Sequence, residues 1–175
     1  IARCMSRSAV HPASLDSSRL LQACDVRRTR RTGPGGQHRN KVETAIVLTH
    51  EPTGVRAEAS ERRSQAQNLR AAVFRLRVNL ALAVRGPRDP GAVPSPGWQL
   101  RCQGGRLAIS AEHDEFPALL AEALDVLAAC GADVQQAAAS LRCTPSQLTK
   151  FLKLEPRALI HTNARRREIG LRPLR

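Results

Sequence analysis

The run from 44 to 85 constrains this chain most. Residues 44–50 (TAIVLTH) are β-branched and apolar, residues 51–54 (EPTG) form a turn signature, and residues 55–60 (VRAEAS) alternate. This pattern predicts two antiparallel strands joined by a tight connection. Directly behind them, Ser64 with Gln67 three residues on is a capping-box signature, and Leu69, Val73, Leu76, Leu80 and Val84 recur at helical spacing through Arg85. The other faces of that helix carry Arg70, Arg75 and Arg77. A hairpin followed at once by one long amphipathic helix buries a face of the sheet under the helix, so the expected class is α+β: a small antiparallel sheet covered by a long helix. Upstream, the stretch DVRRTRRT (25–32) alternates too poorly for a buried strand and reads as an edge strand with arginines outward. Earlier still, Ser14 is expected to cap a short helix carrying Leu15, Leu20 and Leu21.

Residues 86–97 (GPRDPGAVPSPG) are dense in proline and glycine and lack periodicity, which marks a linker. It would divide the chain into a unit over 1–85 and a mostly helical C-terminal module over 98–175. In that module a hairpin is expected from Trp98 to Cys102 and from Leu107 to Ser110. A helix should follow, with Pro117 in its first turn, Phe116, Leu120, Ala123, Leu127 and Cys130 on one face, and Gly131 as its stop. Asp133 with Gln136 caps a next short helix bearing Ala137, Ala138 and Leu141. Thr144 with Gln147 caps another, with Pro145 at its first position and Leu148, Phe151 and Leu152 inward. The layout is that of a helix-turn-helix. Its second helix offers Ser146, Gln147, Thr149, Lys150 and Lys153, a surface that suits either nucleic acid or a docking partner. A last helix runs from about Pro156 to Gly170, with Pro173 beyond it.

Charge narrows the partner. With 28 Lys+Arg against 15 Asp+Glu, the chain carries +13 at pH 7, and such a balance favours a polyanion. The four aromatic rings, Phe74, Trp98, Phe116 and Phe151, are too few for the base-stacking platforms of RNA-recognition modules and OB-folds. The five cysteines (Cys4, Cys24, Cys102, Cys130, Cys143) show no Cys-x-x-Cys spacing, which argues for free thiols in a reducing cytoplasm rather than zinc or disulfides. No apolar stretch reaches the roughly 20 residues a membrane span needs.

Against this background stands GPGGQHRNK, residues 33–41. Gly-Gly-Gln alone is a weak signal. Three linked segments are not: TGPGGQHRNK, then LTHEPTGV, then ERRSQAQN, in that order and at these spacings. Together they resemble the catalytic domain of bacterial class I peptide chain release factors and of the codon-independent ribosome-rescue hydrolases, over about Asp25 to Arg85. The resemblance implies that the loop enters the ribosomal peptidyl transferase centre. There Gln37 would place a water against the ester joining the peptide to the terminal ribose of P-site tRNA. The residue types fit: an amide has no useful pKa, so Gln37 orients water rather than taking its proton, and its backbone N–H is suited to the oxyanion that develops. Gly35 and Gly36 allow positive φ and close approach of backbone to RNA, and Gly33 and Pro34 set the entry turn.

The same resemblance extends to flanking positions. His38, Asn40 and Lys41 match the family run and either anchor the loop or contact rRNA, while Asn40 equally suits a local turn. Arg39 stands where the family usually has a small aliphatic residue, adding a phosphate contact, and Val42 replaces a usual polar one. Arg62, Arg63, Ser64, Gln65 and Asn68 match the last segment. Arg62, Arg63 and Gln65 are candidates for rRNA contact, although Ser64 and Gln67 already make sense as a helix cap. His50 is expected to be structural.

Full-length release factors carry separate domains that read stop codons. This chain has no recognisable tripeptide anticodon motif, so codon-independent release is the expected activity. No cofactor and no metal are expected. The expected partners are the large-subunit rRNA and P-site peptidyl-tRNA of the ribosome, and a methyltransferase acting on the Gln37 amide. A cytoplasmic monomer without membrane attachment is expected. A different class of reading also fits, a non-hydrolytic regulator that uses the loop and the helix-turn-helix to bind ribosome or nucleic acid.

Overall fold

The computed structural model describes residues 3–4, 10–30 and 44–175. Strand β1 (Arg3–Cys4) leads to a 3-10 turn (Pro12–Ser14) and helix α1 (Ser17–Gln22). Strands β2 (Cys24–Thr29), β3 (Ala45–His50) and β4 (Val55–Ala59) then form an antiparallel sheet in the order β2-β3-β4. The β-branched segment is thus the central strand, and the arginine-bearing segment is the expected edge. Ile46 and Leu48 of β3 and Ala57 and Ala59 of β4 are buried beneath helix α2 (Gln65–Ala83). Gly54 closes the β3–β4 connection at φ 71°, a left-handed value that glycine adopts without steric cost.

Helix α2 does more than cover the sheet. Leu76, Arg77 and Val78 are all buried, and three consecutive helical positions point about 100° apart. No single stripe accommodates them. The sheet takes one side, and helix α4 (Phe116–Ala129) with the Pro12–Ser14 turn takes the other. Arg77 therefore departs from its expected place on a solvent face. Its Nε donates to the Ala13 carbonyl at 2.9 Å and its Nη1 to the Asp114 carbonyl at 2.8 Å. These bonds replace water around a guanidinium whose burial lowers its pKa.

The second strand pair joins β1 in parallel to β5 (Val84–Arg85), at the exit of α2. Beyond it, residues 86–97 do not behave as a free spacer. Gly86 N–H donates to Asp125 of α4 at 3.0 Å, Arg88 pairs with Glu122 at 2.8 Å, and the Ser95 N–H and hydroxyl both bond Glu122. Acids of α4 thus fasten the stretch along that helix.

The hairpin expected from Trp98 is also revised. Ser95 Oγ accepts from Trp98 N–H at 3.1 Å and Pro96 opens helix α3 (Pro96–Arg101), so the tryptophan is helical. Only the short strands β6 (Cys102–Gln103) and β7 (Arg106–Leu107) remain of the hairpin. Trp98 is wholly buried, donates to the Leu141 carbonyl at 2.8 Å and meets Phe151 edge-on at 5.6 Å between ring centroids.

Helices α5 (Val134–Ser140), α6 (Pro145–Lys153) and α7 (Pro156–Glu168) complete the chain. Asp133 accepts from the Gln135 and Gln136 N–H groups, and Thr144 Oγ1 from Gln147 N–H at 3.2 Å, as their sequence positions predict. At the N-terminus the cap of α1 is Asp16 rather than Ser14, because Asp16 Oδ1 accepts from Arg19 N–H at 2.9 Å while Ser14 ends the preceding turn. After Gly170, at φ 77°, the chain turns back: Asn163 bonds both backbone groups of Leu174, and Arg166 donates to the Arg172 carbonyl. One hydrophobic cluster runs from Leu20 and Leu48 through Leu76 and Leu120 to Leu148 and Leu152.

Candidate functional site at the end of the first hairpin

Strands β2 and β3 pair along their full length, with Thr29 opposite Ala45 at the last rung. The connection 30–44 therefore leaves and re-enters the sheet at neighbouring positions. Gly33, Pro34, Gly35, Gly36, Gln37, His38, Arg39, Asn40 and Lys41 all fall in this connection, and they lie outside the described residues.

What is described is the foundation. Asn68, in the first turn of α2, is fully buried and nearly saturated with hydrogen bonds. Its Nδ2 donates to the Thr44 carbonyl at 2.6 Å and to the Arg62 carbonyl at 2.9 Å, and its Oδ1 accepts from Arg62 N–H at 2.9 Å. One side chain thereby ties the returning end of the connection to the segment that carries Arg62 and Arg63. Ser64 Oγ caps the same helix end, accepting from Gln67 N–H at 3.4 Å. Arg75 holds the segment from the other side, with its Nη1 on the Glu58 carbonyl at 2.8 Å and on Glu61 at 2.7 Å. That hydrogen bond lowers the Glu61 pKa and cancels the nearest acid in the segment.

Arg62, Arg63 and Gln65, candidates for rRNA contact from the sequence, lie on the segment that Asn68 holds at this end, and all three are exposed. Arg27 and Arg28 of β2 add exposed cations on the edge strand, Arg27 being paired to Asp25 at 2.7 Å. Arg28, Arg62 and Arg63 make no ion pair among the described residues. A rim of unneutralised guanidinium groups around a strand end suits a phosphate backbone. Asn68 was visible in the sequence only as part of a matching segment; its bridging role depends on Thr44, 24 residues away. His50 is structural, as expected: it is buried, bonds Thr53 Oγ1 through Nδ1 at 2.7 Å, and burial lowers its pKa.

A helix-covered antiparallel sheet with a long glycine-rich connection at the end of its first hairpin is the architecture that the resemblance to release factors predicts. Residues 21–88, from the end of α1 to just past β5, match the family described as the RF-1 domain. Over 64 residues it is 45% identical to the chloroplastic peptide chain release factor PrfB1 of Arabidopsis thaliana, covering 37% of this chain and 14% of that protein. Over 72 residues it is 38% identical to peptide chain release factor 1 of Parafrankia sp. (strain EAN1pec), covering 41% of this chain and 20% of that one. The chain thus spans at most a fifth of the length of these two relatives, and α3 to α7 lie beyond the matched family segment. No helix among the described residues is long and apolar enough to cross a membrane.

Proposed function

We propose that this chain is a stop-codon-independent release or ribosome-rescue factor that hydrolyses the peptidyl-tRNA ester in the peptidyl transferase centre, acting in the cytoplasm as a monomer. The observation that carries the reading is Gly35-Gly36-Gln37 set between two paired strand ends inside an RF-1 domain. Gln37 orients the water, its backbone N–H stabilises the oxyanion, and the glycines let the backbone approach RNA. His38, Arg39, Asn40, Lys41, Arg62, Arg63 and Gln65 seat the loop on rRNA. The tRNA and ribosome supply the remaining chemistry. A methyltransferase acting on Gln37 belongs to the same reading. In this scheme 1–85 is the hydrolytic unit, and 98–175 docks it.

The test is peptide release from purified 70S ribosomes that hold peptidyl-tRNA in the P site, an empty A site and no stop codon. Wild type should release peptide and Gln37→Ala should be slower by at least about 100-fold, the scale of losing the side chain that positions the attacking water, since the backbone N–H remains. Equal rates for the two folded proteins would overturn the reading. Binding without release by wild type would favour a non-hydrolytic ribosome-binding protein.

A further inference from the structure

We propose that the outward face of α5–α6, formed by Arg142, Lys150 and Lys153 with Arg106 beside them, docks on the phosphate backbone of helical RNA. It deepens the reading above by giving the C-terminal helices a substrate-finding role, but it does not depend on hydrolysis.

Charge placement is the first observation. Between Val134 and Leu154 the chain has no acidic residue, and it holds two of the protein's three lysines. Five acids elsewhere in the C-terminal half are engaged by arginines, Arg85–Asp125 at 3.2 Å, Arg88–Glu122 at 2.8 Å, Arg101–Glu115 at 2.8 Å, Arg157–Glu155 at 2.8 Å and Arg165–Glu168 at 3.0 Å, and Asp133, the acid nearest the face, is spent on the backbone N–H groups that open α5. Arg106, Arg142, Lys150 and Lys153 are exposed and unpaired among the described residues.

The fold then gathers these four. Leu148, Phe151 and Leu152 face the core, so Ser146, Lys150 and Lys153, spaced four and three apart, line the opposite side of α6. Arg142 stands in the α5–α6 turn at φ 54°. The β6–β7 hairpin is tied to that turn: Thr144 N–H donates to the Gly105 carbonyl at 3.3 Å, and the Cys102 thiol to the Arg142 carbonyl at 3.6 Å. Arg106 therefore adjoins the stripe.

Residue chemistry selects the partner. A helix-turn-helix that reads DNA sequence places base-contacting groups in the first turns of its second helix. Here the first turn is Pro145, Ser146 and Gln147, without an arginine fork for guanine, and the cations lie in the last turn and on flanking turns. Two lysines late in α6 flanked by two arginines, with no exposed aromatic ring among them, suit tracking a phosphate backbone and recognising helical shape better than stacking on bases.

The experiment uses the full chain and three probes: an RNA duplex of about 16 base pairs, the DNA duplex of the same sequence, and purified large ribosomal subunits. Binding is titrated against salt for wild type, for Arg142→Gln/Lys150→Gln/Lys153→Gln, and for the control Arg19→Gln/Arg165→Gln/Arg167→Gln. On RNA and subunits, the face variant should bind at least about 10-fold more weakly near 0.1 M salt, with a log–log salt slope shallower by about two to three. The control should change much less. Unchanged affinity and slope in the face variant, an equal loss in the control, or a loss confined to DNA would each overturn the proposal. Lys150 and Lys153 also favour the helix dipole, so thermal unfolding is followed in parallel. If the triple variant unfolds, Lys150→Gln and Lys153→Gln alone should each remove about one from the slope, and no change in either overturns the proposal.

Discussion

Asn68 concentrates the case for a built loop foundation in a single side chain. An amide offers two donors and a carbonyl oxygen, and here both kinds are used on backbone groups of two separate segments. Asn68→Ala leaves the Thr44 carbonyl and both Arg62 backbone groups short of a partner, which should cost about 2–3 kcal/mol in urea unfolding. Asn68→Asp keeps the shape but turns two donors into acceptors facing carbonyls, and it should cost at least as much. Because the Thr44 end of the connection is released, peptide release should slow by about 10- to 100-fold while affinity for large subunits stays near wild type. A wild-type release rate in folded Asn68→Asp would mean that Asn68 holds only the helix end. The sequence marked Asn68 as belonging to a motif and could not mark its partners. Arg77 shows the same limit: its acceptor Ala13 lies 64 residues away, and its position on α2 looks like a solvent face until α4 is packed against it.

At the scale of elements, three helix caps and the central strand were legible because their stabilising contacts are local, whereas the equally local caps by Asp16 and Ser95 were not singled out. Ser64, Asp133 and Thr144 each cap the helix that follows within three residues, and the β-branched 44–50 stretch is the central strand. Helix α3 was hidden because its signal lies in a proline- and glycine-rich stretch and its six residues are too few for a periodicity. It persists through Trp98, whose indole fills the space beneath the α5–α6 turn. Trp98→Phe retains an aromatic ring but removes the Nε1–H that meets the Leu141 carbonyl, and should destabilise the protein by about 1–3 kcal/mol. Trp98→Ala should cost about 3–5 kcal/mol through the cavity as well. Denaturant midpoints check both. A Trp98→Phe loss below about 0.5 kcal/mol would show that the hydrogen bond is replaced by water.

Across the whole molecule, the sheet-bearing N-terminal part and the C-terminal helices meet at a junction that composition alone presents as a spacer. His11 lies at its centre. Its Nδ1 accepts from Ala13 N–H at 3.1 Å, so in the neutral ring Nε2–H donates to the Val84 carbonyl at 3.3 Å. Both nitrogens are used, and a second proton would cost the Ala13 bond. Around the ring stand Asp125 of α4 and Arg85 of β5, themselves paired at 3.2 Å. Burial lowers the His11 pKa, and the Asp125 charge opposes that shift without reversing it. The folded protein therefore binds fewer protons than the unfolded chain just below the ordinary histidine value of 6.5. The neutral ring's contribution is complete above that pH and is lost as pH falls through it toward the folded pKa. Urea unfolding should show wild type less stable at pH 5.5 than at pH 7.5, on the order of 1 kcal/mol per unit of pKa difference. His11→Asn should start less stable at pH 7.5, having lost the Val84 bond, but lose less on acidification; buried His50 contributes slope in the same direction, while Asp125, whose pKa burial raises, contributes in the opposite one. An unchanged slope in His11→Asn would remove His11 from the pH response and leave the junction resting on Asp125, Glu122 and their arginines.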